Sequence, residues 1–386
     1  MTMRGALLLF CFTAWGSLPW VYGADAVASP SVPSSPPGVQ EPRGNLPIYR
    51  HWENFSVGDG LPDNKVFAIC VEDDRVWVGT ENGLGLYEKG AWRIYRPADG
   101  LAHRVVMSLA VDRKTGDLWV ATLGGLNRFS AGRFDTFTQL NSGLSNDVVY
   151  AVAIQDEFVW AATAAGLSRL NTRTGEWTLF NERNTPMHEI WCYNLAVNDG
   201  KVYVAVWGGG VLEYDVATGR WKDYRDPDGE MEIVLFRDSG LIHDVVASVS
   251  YEKKILWAAT YFGVSRYDGR HWQGFLEKDS GLASNFVNFI KARGDAVWMC
   301  TDKGLNYFDG KTWITYRRKA EGSEGEVKIL TTANTTSLTT PSGPANNYIL
   351  AIDFQGDDIW VGTAKGLSRG IRTREEKLGE DTRRSR

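Results

Sequence analysis

The chain has 386 residues, of which 43% are hydrophobic and 12% aromatic, and its formal net charge at pH 7 is -5. This length would allow two or three ordinary globular domains. The charge provides no basic surface for neutralising phosphates, so we expect no nucleic-acid partner.

Residues 1–23 predict a secretory signal peptide. One early basic residue, Arg4, precedes an apolar run from Ala6 to Trp15, and small residues follow it. The run is shorter than the ~20 residues that a membrane-spanning helix needs, although a retained anchor helix is the alternative. After signal cleavage we expect no membrane span and a periplasmic or secreted location. Residues 24–48, rich in Pro and Ser, predict a flexible linker.

From residue 49 onwards the chain repeats a pattern with a period of about 41 residues. Its marker is a tetrad of an aromatic, an apolar, a small and, in six copies, a Thr residue, followed by a Gly-Leu or Gly-Val pair. The seven tetrads are residues 77–80, 119–122, 160–163, 203–206, 257–260, 298–301 and 360–363. Such regular recurrence predicts one repeat domain instead of several unrelated domains.

Each repeat predicts four antiparallel strands joined as a meander. Short runs rich in Val, Trp, Tyr and Phe alternate with Gly and Asp turns, which is typical of strands. The third tetrad position is always small, which suits a sheet covered on both faces by neighbouring sheets. We therefore predict an all-β fold, a seven-bladed β-propeller of four-stranded antiparallel blades over residues 49–372.

The first and last repeats are incomplete in complementary ways. An aromatic residue marks the fourth strand of six repeats, but no aromatic residue follows the seventh tetrad. The missing marker is Trp52, so we expect an N-terminal outer strand to close the ring. Longer connections at residues 226–238 and 318–346 predict two loop insertions, and residues 373–386 predict a charged disordered tail.

Three cysteines remain once the signal is removed, namely Cys70, Cys192 and Cys300. Their odd number and their separate repeats argue against a disulfide framework. All three lie in apolar strand patterns, so we expect buried free thiols.

These motifs resemble the two-component regulator propeller repeat over residues 50–372. The resemblance rests on the tetrad, the Gly-Leu pair after it, and a Gly-Leu turn before the first strand, which we name the leading turn. Leading turns of this kind are Gly60-Leu61, Gly100-Leu101, Gly143-Leu144, Gly240-Leu241 and Gly281-Leu282. In that family such repeats often form the extracytoplasmic sensor part of hybrid histidine kinases and bind carbohydrate fragments or partner domains. The resemblance implies a sensor-like binding module, expected here as a free-standing exported protein without a kinase.

The fourth repeat departs most from the pattern and is the candidate for function. Among the tryptophans, only Trp191 and Trp207 lie neither in the signal nor at a marker position of the repeat. Both belong to the fourth repeat. The turn Tyr261-Phe262 belongs to the next repeat. We expect these four residues on the top face, the rim that carries the leading turns and the turns between second and third strands. Aromatic rings there can stack on sugars or on apolar side chains of a protein partner, and packing beneath the 226–238 insertion is the alternative.

Three histidines, His103, His188 and His243, occupy leading turns. Imidazoles on one rim could bind a metal or act as acid and base. Other repeats have Asn at what we take as the equivalent position, and both residue types can cap a turn, so capping is the favoured role. The Asn residues are Asn64, Asn146, Asn285 and Asn347. We predict no metal site and no cofactor, and we include the three histidines as polar ligand contacts.

No catalytic motif is evident, since the sequence has no phosphate-loop and no His-Glu-x-x-His pattern, and no Gly-x-Ser-x-Gly nucleophile elbow. The match Gly366-Leu-Ser-Arg-Gly370 starts at the recurrent Gly-Leu pair of the seventh repeat and is therefore part of the repeat pattern. The leading expectation is a monomeric, non-catalytic exported propeller that binds carbohydrate or a protein segment on its top face. A propeller lyase or hydrolase with a histidine-lined rim is the second hypothesis, and an assembly scaffold is the third.

Overall fold

The computed structural model describes residues 46–227 and 238–372. The chain divides into the units Met1–Leu46 and Pro47–Arg386, and Leu46 is the one described residue of the first. The predicted signal peptide, most of the predicted linker, the tail at 373–386 and most of the 226–238 insertion lie outside the described residues.

The described residues form strands grouped into seven antiparallel sheets, and two short 3₁₀ helices, Val57–Asp59 and Pro97–Asp99. The first three blades contain β2 (Val66–Glu72), β3 (Arg75–Thr80), β4 (Gly83–Glu88) and β5 (Ala91–Tyr95); β6 (Val106–Val111), β7 (Leu118–Thr122), β8 (Gly125–Ser130) and β9 (Arg133–Phe137); β10 (Val149–Gln155), β11 (Phe158–Thr163), β12 (Gly166–Asn171) and β13 (Trp177–Phe180). The next two contain β14 (Cys192–Asn198), β15 (Lys201–Val206), β16 (Gly210–Asp215) and β17 (Arg220–Tyr224); β18 (Val246–Glu252), β19 (Ile255–Thr260), β20 (Gly263–Tyr267) and β21 (Trp272–Phe275). The last two contain β22 (Val287–Arg293), β23 (Ala296–Thr301), β24 (Gly304–Phe308), β25 (Trp313–Arg318), β26 (Gly325–Leu330) and β27 (Thr335–Thr340); β28 (Ile349–Gln355), β29 (Asp358–Thr363), β30 (Gly366–Ile371) and β1 (His51–Phe55).

The sheets are arranged as the blades of a propeller, so the predicted all-β seven-bladed β-propeller is confirmed. The first strands of the blades contact one another in the order β2, β6, β10, β14, β18, β22, β28 and again β2. They surround a central channel whose cavity has a volume of about 350 Å³ and is lined by all seven of them.

The small third tetrad position allows neighbouring blades to approach closely. A Cβ atom added to Gly79 would lie 2.6 Å from Cγ1 of Val106, in the next blade. One added to Gly362 in the seventh blade would lie 2.7 Å from Cγ1 of Val66 in the first. Both distances are far below an ordinary carbon contact, so a larger residue would force the blades apart.

The N-terminal segment is held by the sixth and seventh blades. Strand β1 pairs antiparallel with β30, with Trp52 opposite Gly370. The Trp52 amide donates to the Ser342 hydroxyl at 2.7 Å. The buried ring of Tyr49 packs against Trp52, Trp298 and Tyr316, with ring centroids 5.9–6.2 Å apart.

The predicted loop at 318–346 is wrong, because most of it forms the hairpin β26–β27. Strand β26 pairs with β25, which extends the sixth blade to six strands. Val327 and Ile329 are buried while Lys328 between them is exposed, which is the alternation of a strand with one covered face. The prediction of four strands in every blade therefore fails at the sixth.

The three cysteines are free, and Cys192 and Cys300 are buried as predicted, while Cys70 is half-buried. Burial raises the pKa of the Cys70 thiol to about 12. A thiol that stays protonated is a poor nucleophile, which agrees with a packing role for Cys70.

Candidate ligand-binding face

Six of the seven blades share one backbone contact on the top face. In six blades, the first residue of the turn between second and third strands donates its amide to the carbonyl of the residue before the first strand. The pairs and N–O distances are Glu81–Lys65 3.1 Å, Leu123–Val105 3.4 Å, Ala164–Val148 3.1 Å, Trp207–Trp191 2.9 Å, Asp302–Phe286 3.4 Å and Ala364–Tyr348 3.0 Å. Two side-chain positions per blade are thus fixed side by side on this face.

A β-bulge in every first strand fixes a third position. The pairing with the second strand skips one residue after the first paired residue in all seven blades. A bulge leaves the extra residue outside the ladder and redirects its side chain. The skipped residues are Phe67, Met107, Tyr150, Tyr193, Ala247, Asn288 and Leu350.

Aromatic residues occupy at least one of these three positions in each blade from the third to the seventh, and they contact one another in a line, the aromatic arc. Its members are Tyr150, Tyr193, Trp207, Tyr261, Phe286 and Tyr348. The successive ring-centroid distances are 4.9, 5.3, 5.0, 3.8 and 6.4 Å. The first five rings are half-buried, and Tyr348 is 37% exposed. The arc therefore combines fixed ring positions with accessible ring surface.

The structure separates the four predicted aromatic residues. Trp207 and Tyr261 meet edge to face with centroids 5.0 Å apart and form the middle of the arc. Trp191 is half-buried and contributes its carbonyl, which accepts the Trp207 amide. Phe262 lies outside the arc and stacks on His243, with centroids 4.0 Å apart.

The three predicted histidines do not come together. His243 is 1% exposed, and its Nδ1 accepts the amide of Val245 at 2.9 Å. His103, in the second blade, accepts the amide of Val105 at 3.1 Å, and burial together with the Arg104 charge lowers the pKa of its imidazole. His188 is exposed. Within the described ranges, no group of three or more His, Cys, Asp or Glu residues is placed to hold a metal ion.

The predicted equivalence of asparagine and histidine in the leading turns is wrong for three of the four asparagines. In six blades one side chain accepts the amide two residues later, and the predicted equivalence to histidine holds for Asn146. Asn64, Asn285 and Asn347 lie one residue further on and accept amides at or just after the end of the preceding fourth strand, those of Val57, Glu277 and Arg318. The capping residues are Asp63, His103, Asn146, His243, Ser284 and Asn346.

Four members of the arc were not among the predicted site residues, namely Tyr150, Tyr193, Phe286 and Tyr348. A usable signal exists for two of them, because Phe286 and Tyr348 align with Trp191 directly before the first strand. The two tyrosines occupy the skipped position of a bulge, which the sequence pattern does not reveal.

The first repeat matches the sequence profile of a known family. The sequence profile of the "Two component regulator propeller" family matches residues 60–82, which run from the first leading turn to the turn after β3. Residues 60–82 thus carry one match to the two-component regulator propeller repeat. The resemblance predicted from the tetrads and leading turns is confirmed.

Solved structures share the fold of this propeller-repeat chain at low sequence identity. The extracellular domain of BT3049, a candidate hybrid two-component system of B. thetaiotaomicron, is 18% identical with a TM-score of 0.62, and the alignment covers 83% of this chain and 42% of that one. The extracellular domain of BT4673, a candidate one-component system of the same organism, is 18% identical with a TM-score of 0.63, covering 84% and 40%. The computationally designed protein Ika8 is 12% identical with a TM-score of 0.55, covering 80% and 96%.

The propeller-repeat chain spans about two fifths of the length of the two extracellular domains. No protein of curated function matches its sequence. Within the part of the chain that the structure describes, no helix has the length and apolar character needed to cross a bilayer.

Proposed function

We propose that this protein is an exported, sensor-like binding module that holds a carbohydrate on its top face. Two observations support export and sensing: the signal-like N-terminus, and the fold shared with extracellular domains of candidate two-component and one-component systems. The binding role rests on this chain's own side chains.

The aromatic arc is the observation that carries the proposal. Six aromatic rings lie in contact across five blades, and each keeps part of its surface accessible. Large aromatic side chains dominate binding energetics because they bury much area at low cost in side-chain entropy. A fixed line of aromatic rings suits an oligosaccharide, whose sugar rings also follow one another in a line.

The polar groups along the arc favour a carbohydrate over a hydrophobic protein segment. Four of the six members are tyrosines, at the first, second, fourth and last positions of the line. Asn288, at a skipped bulge position, lies 3.5 Å from the Tyr348 hydroxyl. Rings for stacking combined with hydroxyl and amide groups suit sugars, which present both C–H faces and hydroxyls.

A glycan array followed by calorimetry tests the proposal. We expect the mature protein to bind an oligosaccharide, and Trp207→Ala to weaken that binding by about tenfold, as for removal of a central aromatic contact. The matched control is Leu179→Ala, which shortens an exposed apolar side chain on the outer strand of the third blade and should leave affinity unchanged. Binding of a peptide and no glycan, or equal affinity of Trp207→Ala and wild type, would contradict the proposal.

A further inference from the structure

The junctions between blades repeat one geometry on the top face. At the junction of the fifth and sixth blades, the amide of Glu277 donates to Asn285 at 2.7 Å. The Glu277 carboxylate forms an ion pair at 3.1 Å with Lys303, the second residue of the turn between β23 and β24. An acidic and a basic residue thus neutralise each other across this junction.

The next junction has the same backbone contacts but two positive residues. The amide of Arg318 donates to Asn347 at 2.7 Å, as that of Glu277 does to Asn285. Lys365 is the second residue of the turn between β29 and β30, equivalent to Lys303. Arg318 therefore stands where the preceding junction has Glu277, and both junctions have a lysine opposite. The charge is neutralised at the preceding junction and is positive at this one.

A pocket of about 300 Å³ lies at this junction. Of the described residues that line it, three are basic, two are asparagines and none is acidic. The lining residues are Arg318, Lys319, Ala320, Ala345, Asn346, Asn347 and Lys365.

The walls of this cationic pocket are fixed by hydrogen bonds. Asn347 Nδ2 donates to the Arg318 carbonyl at 2.9 Å, and the Arg318 guanidinium donates to the carbonyl of Gly322 at 2.7 Å. Lys319 pairs with Glu324 at 3.1 Å, and both of these side chains are exposed. An exposed pair of this kind contributes little energy and competes weakly with a ligand.

The cationic pocket adjoins the last ring of the aromatic arc. Asn346 accepts the amide of Tyr348 at 2.8 Å, and the amide of Ala364 donates to the Tyr348 carbonyl at 3.0 Å. Tyr348 is therefore next in sequence to one lining residue, and bonded to the neighbour of another, Lys365.

We infer that the cationic pocket binds the carboxylate of an acidic sugar, whose neighbouring sugar rings extend along the arc. This inference rests on the proposed carbohydrate-binding function and specifies its ligand class. A carboxylate between Arg318 and Lys365 would receive charge-assisted hydrogen bonds and supply the negative charge that Glu277 supplies at the preceding junction. The ligand class is then a uronic-acid-containing oligosaccharide.

The test uses single sugars, so that it examines the pocket separately from the arc. Binding of D-glucuronate and D-glucose to the full chain is measured by ligand-observed NMR, with inorganic sulfate as a third probe. We expect glucuronate to bind about fivefold more tightly than glucose, and Lys365→Gln to remove about that factor, as for a single charge contact. Raising the salt concentration should weaken glucuronate binding and leave glucose unaffected.

The matched control is Lys311→Gln, in the turn between β24 and β25 on the opposite face of the sixth blade, which should behave as wild type. Trp207→Ala should also leave glucuronate binding intact, so loss of oligosaccharide binding in that variant reports on the arc alone. Equal binding of glucuronate and glucose, or an unchanged Lys365→Gln, would overturn the inference. Sulfate binding as tight as that of glucuronate would overturn the assignment to a sugar acid.

Discussion

The first and fourth blades share one backbone hydrogen bond on the top face. The two residues that it joins are charged in the first blade and aromatic in the fourth. In the first blade, the residue before the first strand and the turn residue beside it are Lys65 and Glu81, whose charged groups lie 3.8 Å apart. In the fourth they are Trp191 and Trp207. The backbone hydrogen bond that joins the two positions is 3.1 Å long in one blade and 2.9 Å in the other. The same backbone contact is therefore made with either a charged or an aromatic pair.

The largest expected effect concerns the scaffold side of this comparison. Trp77 leads the second strand of the first blade and is 3% exposed, packed against Phe129 in the next blade. Trp77→Ala should lower the free energy of unfolding by about 3–5 kcal/mol, because it leaves a cavity between blades. Urea unfolding checks this, with Trp207→Ala as the comparison; a similar loss in Trp207→Ala would place Trp207 in the core.

The second largest effect is expected when the aromatic pair of the fourth blade is replaced by the charged pair of the first. The double variant Trp191→Lys, Trp207→Glu gives the fourth blade the charged pair of the first. We expect it to lose at least about tenfold in oligosaccharide affinity, since the central ring of the arc is removed. Its melting temperature should stay close to that of the wild type. Retained affinity would contradict a binding role for Trp207. Collapse of the fold would contradict the equivalence of the two pairs as parts of the scaffold.

The smallest effect concerns a leading turn. Burial and the Arg104 charge lower the pKa of His103, so its neutral form is favoured in the folded state. The unfolded chain binds the proton at a higher pH, so stability should fall as pH drops below the ordinary histidine value of about 6.5. His103→Asn, which copies Asn146 of the third blade, should remove part of that dependence. Equal pH profiles of the two proteins in urea unfolding would contradict this assignment.

The repeated part of the fold could be predicted because each blade needs the same residues. The third tetrad position stays small in every repeat, and at Gly79 and Gly362 an added Cβ atom would already meet the next blade. The hairpin β26–β27 was missed because it carries none of the repeat's Trp and Gly markers. Its alternation of Val327, Lys328 and Ile329 was nevertheless present in the sequence.

The aromatic arc could be predicted only in part, for two physical reasons. Trp207 and Tyr261 break the repeat and were therefore visible, whereas Tyr193 looks like an ordinary strand residue until the bulge beside it is known. Phe262 follows Tyr261 in sequence, but the two rings contact different partners, Phe286 for Tyr261 and His243 for Phe262. Adjacency in a turn did not establish a shared surface.

Hydroxyl-radical footprinting of the protein, with and without the oligosaccharide found on the array, tests the central claim most directly. Bound ligand should protect Tyr193, Trp207 and Tyr261 from oxidation, and leave Trp221, on the outer strand of the fourth blade, as reactive as before. Protection of blade sides or of the face opposite the arc, with Trp207 oxidised equally in both samples, would contradict it.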